Sequence, residues 1–255
     1  MRSIISFAVL TLLSPTVAPA QVPVTVETDV IYSRALGSAV VADIAYPVDG
    51  EGLPVIMYVH GGRWRAGQRV NDAGLQVAEW AGRGFFAMTI DYRLVGATLA
   101  PAAYQDVQTA IRWVHAHADE YRIDQDRIYL IGNSSGGYLV ALVATLGEGP
   151  YDLNSLSWGD LWTPVEGAAR EARRIASPIH NIGPGTKPIL IVHSDDDRSV
   201  PIQQAVDMAA ALDAAGVYHR FVHYEDRGHM SVTDEVTEHT LASIAEVEGI
   251  GDPRP

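Results

Sequence analysis

The stretch with the strongest hold on what this chain can fold into runs from residue 128 to residue 146. An apolar segment, 128–131, leads into Gly132-Asn133-Ser134-Ser135-Gly136-Gly137, and a nearly continuous apolar run, 138–146, leads out. The first segment reads as a buried strand. The last carries Leu139, Leu142, Val143 and Leu146 at helical spacing. Strand, G-x-S-x-G, helix is the setting in which a serine is lifted above a sheet edge on a strained turn. Gly132 and Gly136 suit the close passage of strand and helix, where a Cβ would collide. The helix also turns its positive N-terminus toward the serine. A small-residue turn closing a βα unit accounts for the glycines equally well by themselves. It is the flanking elements that make Ser134 a candidate nucleophile.

The rest of the chain supplies the matching pattern. Residues 24–32 and 39–46, β-rich runs around Leu36-Gly37-Ser38, predict an N-terminal antiparallel hairpin. Residues 55–59 are wholly apolar, as in a strand buried on both faces. They run into His60-Gly61-Gly62-Arg63-Trp64. Two glycines there let backbone N–H groups face a cavity, which an oxyanion hole requires. Gly62, Arg63 and Ser135 are the candidate donors and Trp64 the candidate substrate contact; a plain Gly-Gly turn lidded by tryptophan is the alternative. His60 is expected to anchor the loop.

A helix is predicted with Val70, Ala73, Val77 and Ala81 on one face, then a strand over 85–90. Asp91 and Arg93, at its end, are expected to tie loops together rather than bind substrate. Pro101 opens a helix with Val107, Ala110, Ile111 and Val114 buried. His115 and His117 lie two apart, share no helical face and predict solvated histidines rather than a metal pair. Residues 189–192 predict a strand. Pro201 starts a helix with Ala205, Met208, Ala209 and Leu212 aligned and Gly216 as its stop. Residues 217–224 predict a last strand, and Val236, Thr240, Ile244 and Val247 a last helix. Strands alternating with helices predict an α/β fold, a mostly parallel central sheet with helices on both faces. Sites in such sheets lie beyond the carboxyl ends of the strands. His60, Ser134, Asp197 and His229 each fall just after a predicted strand.

Composition narrows the partners. The formal charge of −13 argues against nucleic acid, since phosphate binding needs clustered Lys and Arg. There is no cysteine, hence no disulfide, thiol chemistry or Cys-linked lipid. Met1-Arg2, an apolar run over 4–13 and Ala18-Pro19-Ala20 read as a secretory signal peptide cleaved after Ala20. The run is too short for a stable span. The expectation is a leader, 1–20, and one catalytic domain, 21–255, with no membrane attachment after cleavage, secreted or periplasmic; oligomeric state stays open.

With HGGRW, DYRL, PAAYQD, GNSSGG, HSDDDRSVP and RGH in this order, the chain resembles the α/β-hydrolase superfamily, and within it the bacterial esterases that include feruloyl and acetylxylan esterases. HGG-x-W is also similar to kynurenine formamidases. The resemblance implies an α/β-hydrolase fold with Ser134 as nucleophile, Asp197 as acid and His229 as base, in the superfamily's own order. Asp197 matches because the family's acid precedes by three residues the valine of its Val-Pro pair, here Val200-Pro201. It implies a serine carboxylesterase acting on small acyl or aryl esters, acetyl or feruloyl esters of plant polysaccharide among them, without metal or organic cofactor. Asp195 and Asp196 are then expected to be solvated, not a cation site. Two departures stand out. Ser194 replaces the usual glycine, and no strand is legible over 147–176, where the family places one; that segment is read as a small cap or as a missing strand. An amidase, exopeptidase or formamidase of the same fold is the alternative, and a non-catalytic binding protein a more distant one.

Overall fold

The computed structural model describes residues 22–35, 37–71, 74–98, 101–146 and 174–249. The expected leader at 1–20 and the cap-or-strand question at 147–173 lie outside the described residues. In chain order the elements are β1 (Val24–Ala35), β2 (Ser38–Pro47), β3 (Leu53–Val59), α1 (Val77–Gly82), β4 (Phe86–Ile90), α2 (Ala102–Ala116), α3 (Ala118–Tyr121), β5 (Ile123–Gly132), α4 (Ser135–Leu146), β6 (Ile189–Ser194), α5 (Gln203–Ala214), β7 (His219–Tyr224) and α6 (Asp234–Val247). Five strands form one sheet in the order β1-β2-β4-β3-β5, and β6 and β7 form a second, parallel pair. The hairpin β1–β2 and the β2–β4 pairing are antiparallel; β3 runs parallel to both β4 and β5.

The apolar run of β3 is explained by helices on both sides of it. Val55, Met57 and Val59 share one core with Phe86, Met88 and Ile90 of β4, Val107, Ala110 and Val114 of α2, and Leu139 and Leu142 of α4. Ile56 and Tyr58 alternate to the other face, joining Leu75, Trp80 and Ala87, with Leu241 and Ile244 of α6 packed against them. Each such side chain, fully removed from water, contributes roughly 1.5–3 kcal/mol. Helix α6 starts where its sequence says it should. Thr233 is its N-cap, accepting the Val236 N–H, and Asp234 and Glu235 lie in its positive first turn.

The β6–β7 pair is fastened to the larger sheet by specific contacts as well as by α6. The Lys187 N–H donates to the Ala144 carbonyl at 2.9 Å. The Tyr138 hydroxyl of α4 bonds the Ala176 carbonyl, and the Tyr129 hydroxyl of β5 bonds Glu248 just past α6.

One expected helix is much shorter than its periodicity suggests. Among the described residues of that segment only Val77–Gly82 is helical, and Val70, expected on the buried face, is exposed. The reason is Arg69. Its guanidinium pairs with Asp43 (2.8 Å), Asp91 (2.7 Å) and Asp29, its N–H donates to Asp91 (2.7 Å), and its carbonyl accepts the Thr89 hydroxyl (2.6 Å). A backbone bonded sideways to the sheet at this point cannot enter a helical ladder. Asp91 thus ties loops, as expected. Arg93 does too: its N–H and guanidinium both bond the buried Asp106. His115 meets Gln125 at the surface, but His117 is not simply solvated; it stacks on Trp113 and bonds its carbonyl.

The carboxylates around Arg69 differ in what they can tolerate. Asp43 is buried, whereas the Asp29 side chain is 72 % exposed. Arg69→Met leaves Asp43 an uncompensated buried charge and should cost about 3 kcal/mol or more in urea unfolding. Asp29→Asn should cost less than about 1 kcal/mol in the same measurement.

Candidate active site

Ser134 sits between β5 and α4 with φ of 53°, a left-handed conformation that a side chain adopts only under constraint. The constraint is the passage of α4 across the ends of β3 and β5. A Cβ on Gly136 would lie 2.0 Å from the Val59 carbonyl oxygen, and one on Gly132 would lie 2.5 Å from the Gly136 backbone. The expected glycine requirement at both positions is therefore steric. Helix α4 begins one residue after Ser134, so its N-terminal dipole faces the serine.

The loop after β3 folds onto this elbow. A Cβ on Gly61 would stand 3.1 Å from the Ser134 Cβ, so the two backbones are in near contact. Asn133 joins them: its side-chain oxygen accepts the Tyr58 hydroxyl at 2.8 Å and the Gly61 N–H at 3.0 Å. No motif marked this residue; it is the variable position inside G-x-S-x-G. Gly62 has φ of 122°, and a Cβ there would lie 2.0 Å from the Ala66 carbonyl oxygen. Arg63 and Trp64 follow, both left-handed at φ 57°. The Trp64 N–H points at the Ser135 hydroxyl, 3.4 Å away. Among the described residues the N–H groups of Gly62, Arg63 and Ser135 donate to no protein acceptor. The Trp64 ring meets Tyr138 of α4 edge-on, with centroids 5.2 Å apart.

His60 is buried beneath this loop. It stacks on Tyr92 at 4.2 Å, its Nδ1 lies 2.7 Å from the Gly61 carbonyl oxygen, and its own carbonyl accepts the Tyr92 hydroxyl at 3.0 Å. Burial pushes the ring below its ordinary pKa, against the opposing Gly61 carbonyl and Asp91, and so favours the neutral form. Burial likewise pushes the Tyr92 phenol up to about 12, with the Ser135 hydroxyl acting against it. Both groups anchor the loop, the part the sequence assigned to His60.

The other two candidates come from the β6–β7 pair. These strands are in parallel register up to Ser194↔Tyr224, so the loops that follow emerge side by side. Asp197 Oδ2 and His229 Nδ1 are 2.8 Å apart. The Asp197 side chain is 4 % exposed, and its Oδ1 accepts the N–H groups of Ser199 (2.7 Å) and Val200 (2.9 Å). Burial raises the Asp197 carboxyl, but the Val200 N–H, the His229 ring and the Ser199 N–H outweigh it and hold it below its ordinary pKa. A ring that donates from Nδ1 to a carboxylate keeps Nε2 free to accept a proton. Among the described residues no hydrogen bond joins the Ser134 hydroxyl to His229. Bonds of this kind often tighten only around a substrate. What brings the two neighbourhoods together is packing: Val232, three residues past His229, joins the cluster that holds Ile131 and Tyr58.

The acidic run is more occupied than expected. Asp195 bonds His223 at 2.7 Å. Asp196, though exposed, accepts the Ser194 hydroxyl at 2.8 Å and the Gly228 N–H at 2.6 Å. The expectation that these two are merely solvated is corrected. Each carboxylate of the run already has protein partners.

Asn133→Ala strips an acceptor from the Tyr58 hydroxyl and the Gly61 N–H together. It should lower stability by about 1–3 kcal/mol, and Asn133→Asp, which keeps an oxygen at that place, should recover most of it in thermal melts. The depressed Asp197 pKa makes a signed prediction. Its stabilisation is fully present above the ordinary carboxylate pKa and disappears as pH falls through the lower folded value. Asp197→Asn should therefore unfold with a weaker acid dependence than the parent, as followed by circular dichroism across an acid titration.

Residues 42–156 match the BD-FAE family, α/β-hydrolases of the feruloyl-esterase type. Among characterised relatives, Esterase LipC of Mycobacterium tuberculosis is 28% identical over 195 residues, 63% of this chain and 48% of its own length. Carboxylesterase NlhH of the same species is 35% identical over 115 residues, 44% of this chain and 36% of its own. The chain thus spans less than half the length of these relatives. Among solved structures, Thermogutta terrifontis esterase 2 phosphonylated by sarin superposes with a TM-score of 0.71 at 24% identity, covering 92% of this chain and 99% of that one. A truncated carbohydrate esterase from gut microbiota gives the same TM-score and identity, covering 90% and 98%. At that identity the likeness speaks for the fold alone. The chain thus has the α/β-hydrolase fold, and in sequence its likeness is to the BD-FAE family and to bacterial esterases.

Proposed function

We propose that the protein is a serine carboxylesterase. The observation that carries this reading is the Asp197–His229 pair, held 2.8 Å apart in the loops that follow neighbouring strands, in a chain whose strained Ser134 stands at a helix N-terminus and whose histidine loop packs, through Val232, on the cluster that holds Ile131. A serine hydroxyl is a poor nucleophile at neutral pH and needs a base within reach. His229 Nε2 takes the Ser134 proton as Oγ attacks the ester carbonyl carbon. Asp197 keeps the ring in the tautomer that leaves Nε2 free and stabilises the imidazolium. The N–H groups of Gly62, Arg63 and Ser135 receive the oxyanion, each such donor contributing about 3 kcal/mol to the transition state. The imidazolium then protonates the leaving alcohol. Water, deprotonated by the same ring, releases the acid and restores the serine. Trp64, standing against Tyr138 beside the elbow, forms a wall for the acyl or aryl group.

The named relatives support ester hydrolysis as the reaction class. Small acyl or aryl esters are the substrates this reading favours. The match to a feruloyl-esterase-type family extends that to acetyl or feruloyl groups on plant polysaccharide, and the leader-like residues 1–20 to an exported enzyme.

A panel of p-nitrophenyl esters of rising acyl length, with matched anilides, tests the reaction. Ester turnover should exceed anilide turnover, and the reverse would make the protein an amidase. A fluorophosphonate should label the parent and not Ser134→Ala. His229→Ala should lower kcat by about 10⁴-fold or more with the circular dichroism spectrum unchanged. Cell fractionation of the full chain tests export.

A further inference from the structure

The departure at Ser194 is the opening to a second layer of the site. Where the resemblance calls for glycine, this chain has a serine at the last position of β6, fully buried. Its hydroxyl donates to Asp196 Oδ1 at 2.8 Å and accepts the Arg227 N–H at 2.9 Å. The same Asp196 oxygen accepts the Gly228 N–H at 2.6 Å. The next residue is His229, bonded to Asp197. Three successive residues of the histidine loop, 227, 228 and 229, are thus fixed to Ser194, Asp196 and Asp197 of the acid loop.

This arrangement answers a mechanical problem. One hydrogen bond from Asp197 fixes the distance to the His229 ring but leaves the backbone that carries the ring free to swing about it. The loop between Tyr224 and the N-cap at Thr233 has no ladder of its own to prevent this. Two bonds to adjacent backbone N–H groups, one to the buried Ser194 hydroxyl and one to the Asp196 oxygen, do prevent it, because they define a line rather than a point. Ring placement within a fraction of an ångström decides transfer rates, since about 1 Å of misplacement costs on the order of a hundredfold.

We infer that Ser194 and Asp196 form a clasp that positions the His229 backbone, making both positioning residues for the proton transfer. The inference rests on the esterase reading for its kinetic consequence, but the clasp itself is a property of the loops. Its geometric content is that the oxygen of residue 196 matters and its charge does not. Asn at 196 presents an oxygen in the same place; Ala presents nothing.

The test uses Ser194→Ala, Ser194→Gly, Asp196→Ala and Asp196→Asn in the full chain, with thermal melts to establish that each is folded. On a p-nitrophenyl ester, Ser194→Ala and Asp196→Ala should lower kcat on the order of tenfold or more and leave KM within about twofold, while Asp196→Asn stays near the parent. If Ser194→Ala fails to fold, Ser194→Gly, the family's own residue, carries the same expectation. Proton NMR supplies a reading that needs no substrate. The downfield N–H proton of the His229–Asp197 bond should broaden or vanish in the Ala variants and persist in Asp196→Asn. Unchanged kcat and an unchanged resonance in both Ala variants would overturn the clasp. So would an Asp196→Asn as impaired as Asp196→Ala, because the residue would then act through its charge. A parent that hydrolyses no ester and takes no fluorophosphonate would overturn the esterase reading instead, with the NMR comparison still deciding the clasp.

Discussion

The serine side of this site follows from how closely helix α4 is laid across the carboxyl ends of β3 and β5. The 2.0 Å that a Cβ on Gly136 would leave to the Val59 carbonyl oxygen is not a spacing any other residue accommodates without moving the backbone. Once the helix is that close, the residue between strand and helix has no room for an ordinary turn, and Ser134 is driven to positive φ. The same closeness brings the Gly61 loop into contact with the elbow, where Asn133 can bond it. Ser134, the candidate nucleophile, and the candidate oxyanion donors are therefore positioned by one packing event, not two.

The candidate acid and base, Asp197 and His229, depend on a different principle. They sit on a parallel strand pair that shares no ladder with the five-stranded sheet among the described residues. Parallel register alone delivers Asp197 and His229 to adjacent loops, which explains how residues 32 apart in sequence meet at 2.8 Å. The alignment of this pair with Ser134 is then left to side-chain contacts: Val232 in the Tyr58 cluster, Tyr138 on Ala176, Tyr129 on Glu248. Such contacts are fewer and softer than a shared ladder. The placement of the histidine loop is accordingly the part of the site most sensitive to local fastening, and it is where the buried Ser194 bonds the Arg227 N–H.

What the sequence made legible were features carried by local pattern. Apolar runs of four to six residues gave the buried strands, helical spacing gave α2, α4, α5 and α6, and motif residues just after strands gave the loops beyond the carboxyl ends of the strands. What it hid were pairings across long separations. Tyr58 reaches Asn133 over 75 positions and Ser194 reaches Arg227 over 33; neither has a spacing rule. Arg69 shows the same gap in reverse. Val70, Ala73, Val77 and Ala81 satisfy a helical period, but the period says nothing of three aspartates waiting on β1, β2 and the end of β4. Specific ion pairing outweighed helix propensity, whose differences are only tenths of a kcal/mol per residue. Likewise Asp195, Asp196 and Asp197 look alike in sequence and differ only in what the folded chain places beside them.

Strain gives these observations a common account. Ser134, Arg63 and Trp64 are three non-glycine residues at φ of 53–57°, all lining one small region. Each such residue costs on the order of 1–3 kcal/mol, a sum comparable with the whole stability of a marginal domain. A fold retains that cost only if surrounding contacts over-determine the conformation. They are present: Asn133 on Gly61, Ser135 on Trp64, Tyr92 on the His60 carbonyl, Arg69 across three carboxylates behind the loop. Their shared effect is to hold backbone N–H groups and one hydroxyl in directions the chain would not take by itself, which is the preorganisation that the proposed ester hydrolysis requires.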